Sequence, residues 1–262
     1  MLVMGILNVT PDSFSDGGRF LDPDVAIAHG RSLAAQGADM LDVGGESTRP
    51  GADRVAPRVE QQRVLPVVEV LASEGLFVSI DTMNAATAQA AVAAGARLVN
   101  DVSGGLADAE MLAAVAESGA EIALGHWRGP SSEMYARAEY DDVVAEVLGE
   151  LAERVDAAEA AGIPRSRIVV DPGIGFGKRG AQNWDVLRGL PRVAELGCRV
   201  LVGTSRKRFL AEAIGADADL SRRDLATAVT SVLAERAGAW AVRVHDVPTT
   251  RDALAVARAW EA

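Results

Sequence analysis

The sequence contains very little cysteine and no long apolar run. Cys198 is the only cysteine in 262 residues, so the chain can form no intrachain disulfide and no cluster of thiolate metal ligands. A reducing compartment such as the cytoplasm is therefore expected. No apolar stretch reaches the roughly 18 residues of a membrane span. The apolar start of the chain lacks the basic leader of a signal peptide, so we interpret it as a strand.

Aromatic residues and excess positive charge are also scarce. Phe, Trp and Tyr make up 4% of the residues, and the formal net charge is -11. Proteins that bind nucleic acids usually present a basic face, and those that bind single strands add aromatic platforms for the bases. The composition therefore argues against a nucleic-acid partner.

Eight short apolar runs recur along the chain, with helical segments between them. Hydrophobic residues make up 49% of the sequence, and one α/β barrel needs roughly 250 residues. The alternation leaves a closed (β/α)8 TIM barrel or an open doubly wound sheet, and the count of eight favours the barrel. We therefore predict a single TIM-barrel domain over residues 1–262. The predicted strands are residues 3–9, 40–43, 77–80, 97–100, 121–124, 168–170, 199–202 and 241–244.

Polar residues stand at the ends of three predicted strands. Asp81, Asn100 and Asp171 each follow an apolar run, and the carboxyl ends of barrel strands form the working face of such a fold. Carboxylates accept hydrogen bonds, whereas an amide both accepts and donates, so the three together could read a heterocycle with an amino-amide edge, such as a pterin. Each residue could instead be a helix cap or a loop residue.

A basic cluster follows the last two predicted strands. Arg243 and His245 are two residues apart and should share one face of their strand, and Lys207 lies in the basic run 205–208. The loops after strands seven and eight of many barrels bind phosphate, so we expect an anionic ligand such as a diphosphate here. Arg206 and Arg208 are expected to belong to a solvated turn.

Residues 173–178 resemble a phosphate-binding loop but fail its pattern. Pro172 occupies the place of the first glycine, and Arg179 replaces the Ser or Thr that would hold magnesium. We interpret the segment as a mobile loop. The three histidines include no zinc-binding pair, so a catalytic zinc site is not expected.

Seven ordered segments together are similar to the signatures of the dihydropteroate synthase family, and they span nearly the whole chain. They are MGILNVTPDSFSDGG at 4–18, DVGGESTRPG at 42–51, SIDT at 79–82, NDVSG at 100–104, DPGIGF at 171–176, SRK at 205–207 and RVHDV at 243–247.

The resemblance implies a transferase of folate biosynthesis and a sulfonamide target. Its reaction would condense 6-hydroxymethyl-7,8-dihydropterin diphosphate with 4-aminobenzoate to give 7,8-dihydropteroate and diphosphate. The implied cofactor is Mg²⁺, and the implied assembly is a homodimer. The implied catalytic residues are Asn8, Asp81 and Lys207, with Asn8 as the metal ligand.

The resemblance also implies three binding subsites. The pterin would be held by Asp81, Asn100, Asp171 and Lys207. The diphosphate would be held by Asn8, Thr48, Arg243 and His245. The 4-aminobenzoate pocket would be formed by Phe14, Thr48, Arg49, Pro50, Phe176, Ser205 and Lys207.

Gly125 departs from the family pattern, which usually has Met at this position. A Met side chain there would pack on the pterin ring, and glycine is expected to leave a gap. We therefore predict weaker pterin binding unless a neighbouring residue fills the space.

Two other functions are compatible with a pterin pocket. A non-catalytic paralogue would bind without turnover, although it would not need the leaving-group residues Asn8, Lys207 and Arg243. A methyltetrahydrofolate methyltransferase has a similar barrel, but it lacks the Asn8 signature and the SRK run, and it commonly works beside a corrinoid module.

Overall fold

The structure is a computed structural model that describes residues 1–10, 22–47, 51, 54–130, 133–136 and 138–261. The strands are β1 (Leu2–Asn8), β2 (Met40–Gly44), β3 (Val78–Asp81), β4 (Leu98–Asp101), β5 (Glu121–Gly125), β6 (Ile168–Asp171), β7 (Arg199–Val202) and β8 (Ala241–Val244). The helices are α1 (Pro23–Ala35), α2 (Pro57–Ser73), α3 (Ala85–Ala93), α4 (Met111–Ser118), α5 (Val143–Ala160), α6 (Ala181–Arg188), α7 (Leu190–Ala194), α8 (Arg208–Ile214), α9 (Leu220–Arg236) and α10 (Val247–Glu261).

The eight strands form a closed parallel barrel in chain order, with β1 pairing to both β2 and β8. The predicted (β/α)8 barrel is therefore confirmed, and the open sheet is excluded. Each predicted strand is found. Several extend one residue further than predicted at the carboxyl end, through Gly44, Asp81, Asp101, Gly125 and Asp171, because these residues continue the ladder of backbone hydrogen bonds.

Aspartates cap several of the helices. The Asp22 side chain accepts a hydrogen bond from the backbone N–H of Asp24 at the start of α1, and Pro23 occupies the first helical position. Asp142 caps α5 in the same way through the N–H groups of Val144 and Ala145. Such caps satisfy backbone donors that have no partner within the helix.

The lower part of the barrel is filled by apolar side chains. One buried residue from every strand except β3 contributes to this plug: Met4, Met40, Leu98, Ala123, Val169, Leu201 and Ala241. Phe77, just before β3, packs against the same cluster. The larger apolar core lies between the strands and the surrounding helices.

The residues two positions after the plug form a second layer. Because side chains alternate across a strand, the step of two keeps them on the inner face. This layer includes Asp42, Ser79, Asn100, Asp171 and Arg243, so polar groups replace apolar ones towards the carboxyl end of the barrel. No helix within the described ranges is both long and apolar enough to cross a membrane.

Candidate active site

A cavity of about 860 Å³ opens at the carboxyl end of the barrel. Every predicted site residue that lies within the described ranges lines it, namely Asn8, Asp81, Asn100, Asp171, Phe176, Ser205, Lys207, Arg243 and His245. The remaining predicted residues, Phe14, Thr48, Arg49 and Pro50, lie outside the described residues. The cavity therefore brings together side chains from β1, β3, β4, β6, β8 and the loops that follow.

Gly203, just after β7, lies beneath the point where the charged groups converge. A Cβ atom placed on Gly203 would lie 3.8 Å from Nζ of Lys207 and 3.9 Å from both Oδ2 of Asp171 and Cβ of Arg243. Glycine leaves this space to a ligand. A molecule seated there would meet both the Asp171 carboxylate and the Lys207 ammonium.

Asp42 is a site residue that the sequence reasoning missed. It is fully buried, and its Oδ2 atom accepts hydrogen bonds from Nε of Arg243 at 2.5 Å and from Nδ2 of Asn100 at 2.9 Å. Nη2 of Arg243 also donates to Oδ2 of Asp81 at 2.7 Å. One carboxylate thus orients both the amide and the guanidinium. A usable signal was present, because Asp42 is a charged residue inside a predicted buried strand.

Burial shifts the titration of the charged groups in the cavity. It raises the pKa of Asp81 to about 7, against the opposing effect of the Arg243 guanidinium. Burial lowers the pKa of Lys207 to about 8, while the nearby Asp171 carboxylate favours the charged ammonium. The pKa of Asp171 is likewise raised by burial and lowered by Lys207. Mutual pairing therefore favours the charged forms in a site that would otherwise neutralise them.

Asn8 and Asp81 present oxygen atoms across Gly44. The three residues are paired in one register across β1, β2 and β3. A Cβ atom on Gly44 would lie 3.6 Å from Oδ2 of Asp81 and 3.7 Å from Oδ1 of Asn8. Amide and carboxylate oxygens are hard ligands of the kind that Mg²⁺ prefers, and Mg²⁺ often takes only one or two protein ligands beside phosphate and water. The donor set therefore fits a magnesium diphosphate.

Part of the cavity wall is formed by four residues from the loops after β6, β7 and β8, namely Phe176, Ser205, Lys207 and His245. Nζ of Lys207 donates to the carbonyl of Ile174 and lies 4.5 Å from the centroid of the Phe176 ring. Oγ of Ser205 is 2.8 Å from Nδ1 of His245 and accepts a hydrogen bond from its backbone N–H. This part of the wall therefore combines an apolar ring with a cation and a hydroxyl group.

The expectation that Arg206 is a solvated turn residue is wrong. Its Nε and Nη2 atoms donate to the two carboxylate oxygens of Asp224 at 2.7 and 2.9 Å. Arg206 also has a left-handed backbone with φ 58°, which is uncommon for a side chain with a Cβ atom. The ion pair stabilises a turn that directs both Ser205 and Lys207 inward. Arg208, in contrast, is exposed as expected.

Residues 173–178, predicted to form a mobile loop, are held by several hydrogen bonds in the structure. Nζ of Lys178 is buried and hydrogen bonded to two carbonyls of the loop. Oη of Tyr140 donates to the carbonyl of Gly177, and Oδ1 of Asn183 accepts from the N–H of Gly175. Several of these contacts are made by residues distant in sequence, so composition and motif rules could not find them.

The predicted gap at Gly125 does not exist. A Cβ atom on Gly125 would lie 2.4 Å from the carbonyl oxygen and 2.7 Å from the Cα atom of Val102. The backbone after β4 therefore fills the space that a Met side chain would take, and Val102 itself lines the cavity.

Comparison with known proteins agrees with this geometry. A sequence model of the family described as pterin binding enzyme matches residues 4–245. The dihydropteroate synthase of Mycobacterium leprae is 54% identical over 98% of this chain and 93% of that protein. The chain belongs to the dihydropteroate synthase family. Members of this family are transferases of folate biosynthesis.

Solved dihydropteroate synthases share the whole barrel. The Xanthomonas albilineans enzyme with 4-aminobenzoic acid superposes with a TM-score of 0.92 at 48% identity, covering 100% of this chain and 93% of that one. The Yersinia pestis enzyme with a sulfonamide drug complex gives a TM-score of 0.94 at 38% identity, covering 99% and 94%. The similarity to dihydropteroate synthases thus extends over nearly the whole chain.

Proposed function

We propose that this chain condenses 6-hydroxymethyl-7,8-dihydropterin diphosphate with 4-aminobenzoate, giving 7,8-dihydropteroate and diphosphate, and that residues 1–262 form one pterin-binding domain. We assign the binding sites mainly because Asp171, Lys207 and Arg243 converge above Gly203. The carboxylate of Asp171 therefore lies close to the positively charged side chains of Lys207 and Arg243. A substrate with a flat polar ring and an anionic tail matches that arrangement.

The pterin ring would lie against Asp81, Asn100, Asp171 and Lys207. Asn100 donates through Nδ2 to Asp42, so its Oδ1 atom is oriented as an acceptor for a ring N–H. The carboxylate of Asp171 can accept from the amino-amide edge, and Lys207 can donate to a ring nitrogen or oxygen. The carboxylates thereby recognise the donors of the heterocycle.

The diphosphate would lie against Asn8, Thr48, Arg243 and His245. Arg243 already pairs with Asp42 and Asp81, and these carboxylates hold the guanidinium in place at the base of the cavity. Asn8 would supply the protein ligand of Mg²⁺. When bound, Mg²⁺ would neutralise charge on the departing diphosphate.

The second substrate, 4-aminobenzoate, would enter a pocket formed by Phe14, Thr48, Arg49, Pro50, Phe176, Ser205 and Lys207. The Phe176 ring offers an apolar face for an aromatic ring, and Lys207 above it attracts anionic groups. Sulfonamides carry the same aryl amine, so we propose that they compete for this pocket.

The chain's own residues promote the reaction by electrostatics. The bond between the pterin CH2 and the diphosphate oxygen breaks, and its electron pair leaves with the diphosphate, which Arg243 and His245 stabilise. Asp81 and Asp171 favour the positive charge that develops on the CH2 group. The lone pair of the aryl amine then forms the new C–N bond, and the amine proton passes to water or to the released diphosphate. No side chain forms a covalent intermediate with the substrate.

A homodimer is part of the proposal. Exposed apolar residues recur every four positions on α9 and α10, which pack against each other. Leu225, Val229 and Leu233 are 59%, 51% and 54% exposed, and Val256 and Trp260 are 70% and 85% exposed. Exposed apolar side chains on two helices that pack together are typical of an interface on a charged protein, and a second copy would offer the same side chains. We place the assembly in the cytoplasm.

The direct experiment is an assay of diphosphate release. The purified chain is incubated with the pterin diphosphate, 4-aminobenzoate and Mg²⁺, with each component omitted in turn. Release that requires all three components and falls when a sulfonamide is added supports the proposal. A folded protein that binds the pterin without releasing diphosphate would instead be a binding paralogue.

A further inference from the structure

The chain has only two lysines, and both lie at this site. Of its 26 basic residues, 24 are arginine, and the lysines are Lys178 and Lys207. Both line the cavity, and Lys178 is 1% exposed. Arginine supplies all the remaining basic side chains. Lys178 follows β6 and Lys207 follows β7, but both contact the turn of residues 173–176, which points to a role that a guanidinium cannot take.

The ammonium of Lys178 has an acceptor for each of its protons. Nζ lies 2.9 Å from Nδ1 of His126, 2.9 Å from the carbonyl of Gly173 and 3.1 Å from the carbonyl of Phe176. A lysine ammonium carries three donors, so none is left over. Burial lowers the pKa of Lys178 to about 7, while the Asp171 carboxylate favours the charged ammonium. When Lys178 is protonated, Nδ1 of His126 is the acceptor of this contact and the ring proton lies on Nε2.

His126 in turn contacts a charged residue, Glu150. Its Nε2 atom lies 2.9 Å from Oε2 of Glu150. Arg128 pairs with Glu150 and lies 3.8 Å above the ring of Tyr140, whose hydroxyl donates to the carbonyl of Gly177. The loop after β6 is therefore anchored to the β5 side of the barrel at two points, one through Lys178 and one through Tyr140.

The two lysines donate hydrogen bonds to different carbonyl groups of a single turn. Lys178 binds those of Gly173 and Phe176, and Lys207 binds that of Ile174. The turn is closed by a hydrogen bond of 2.9 Å from the N–H of Phe176 to the carbonyl of Gly173. Its position sets both the Phe176 ring and the Lys207 ammonium that lies over it.

We propose that Lys178 is a positioning residue for the second substrate. It holds the turn of residues 173–176 so that Phe176 and Lys207 form the wall of the 4-aminobenzoate pocket. This role rests on the proposed function. The backbone of Asp171 is fixed separately, because it lies at the end of β6, where Asp171 pairs with Gly125 of β5 and its carbonyl accepts from the N–H of His126 at 2.9 Å.

The first test compares Lys178→Met and Lys178→Gln with the wild type in steady-state kinetics. We expect Lys178→Met to raise the KM for 4-aminobenzoate about tenfold or more, with the KM for the pterin diphosphate changed less than about threefold. Lys178→Gln keeps two N–H donors and should restore part of the loss. Tyr140→Phe removes only the other anchor and should have a smaller effect than Lys178→Met.

A second measurement does not depend on those variants folding. In wild-type protein labelled with ¹⁵N-lysine, the two lysine side chains give two ammonium signals. We expect one signal with slowly exchanging protons, from Lys178, which remains when 4-aminobenzoate is added, while the Lys207 signal shifts. Rapid exchange of both ammonium groups at low pH would contradict the three hydrogen bonds.

The outcomes separate this role from the proposed function. A wild type without turnover overturns the proposed function and this role with it. An active wild type whose Lys178→Met variant is folded and keeps the wild-type KM for 4-aminobenzoate overturns the role of Lys178 alone. Equal increases in both KM values also overturn it, because they would show a general loss of structure.

Discussion

Arg243 and Asp42 are 201 residues apart in sequence, yet their side chains form a hydrogen bond of 2.5 Å on the floor of the cavity. The same Asp42 oxygen accepts from Asn100. A residue that no substrate needs to touch thus orients two of the residues proposed to hold substrate. Its removal should affect both stability and binding.

Asp42→Asn tests this arrangement. The variant removes a buried negative charge beside Arg243, and breaking a buried ion pair costs about 3 kcal/mol or more of unfolding free energy. We also expect the KM for the pterin diphosphate to rise about tenfold. Asp185→Asn, which breaks an exposed pair with Arg188, is the matched control and should leave both quantities nearly unchanged. Equal behaviour of the two variants would refute the role of Asp42.

Gly125→Met tests whether the space beside Val102 is filled. Because a Cβ atom would lie 2.4 Å from the Val102 carbonyl oxygen, we expect the variant to lose about 1 to 3 kcal/mol of stability and to bind the pterin more weakly. Gly149 in α5 would place a Cβ atom with no other heavy atom within 4 Å. Gly149→Ala should therefore be stabilised by about 0.5 to 1 kcal/mol. Tighter pterin binding by Gly125→Met would restore the idea of a gap.

His126 should make stability depend on pH. Burial, helped by the charge of Lys178, lowers its pKa from 6.5 to about 4. Between these values the unfolded chain binds a proton that the folded chain does not, so the histidine's contribution is present above pH 6.5 and is lost as the pH falls towards 4.

Denaturant unfolding of the wild type and His126→Asn at about pH 7.5 and about pH 5 measures this effect. Asn can still accept a hydrogen bond from Lys178, but it does not titrate. The wild type should lose about 2 kcal/mol more than the variant between the two pH values. Parallel losses would mean that His126 titrates normally in the folded protein.

The proposed dimer predicts a mass of twice 27.3 kDa in light scattering. Leu233→Glu places a charge within the row of exposed apolar residues on α9 and should yield monomers. Leu106→Glu is the control, since Leu106 is similarly exposed at 50% but lies elsewhere. A monomeric wild type would contradict the proposed dimer. A dimer that persists in Leu233→Glu would show that the interface lies elsewhere.

The sequence was sufficient for the barrel and for the residues around its opening. Apolar runs of strand length followed by Asp81, Asn100 and Asp171 predicted both the strands and the shared cavity, because local periodicity determines which face a side chain takes. Contacts between loops that are distant in sequence could not be predicted from the sequence. Lys178 is buried by carbonyls and by His126, 52 residues away, and the space at Gly125 is filled by backbone from a neighbouring strand end.

In the proposed function, two adjacent subsites hold different parts of one substrate. Calorimetric titration of 6-hydroxymethylpterin and of magnesium diphosphate into Asp171→Asn and His245→Gln separates them. We expect Asp171→Asn to weaken the pterin about tenfold while diphosphate binding stays within about threefold, and His245→Gln to show the reverse. Wild-type pterin affinity in Asp171→Asn, or equal losses of both ligands in both variants, would contradict the account.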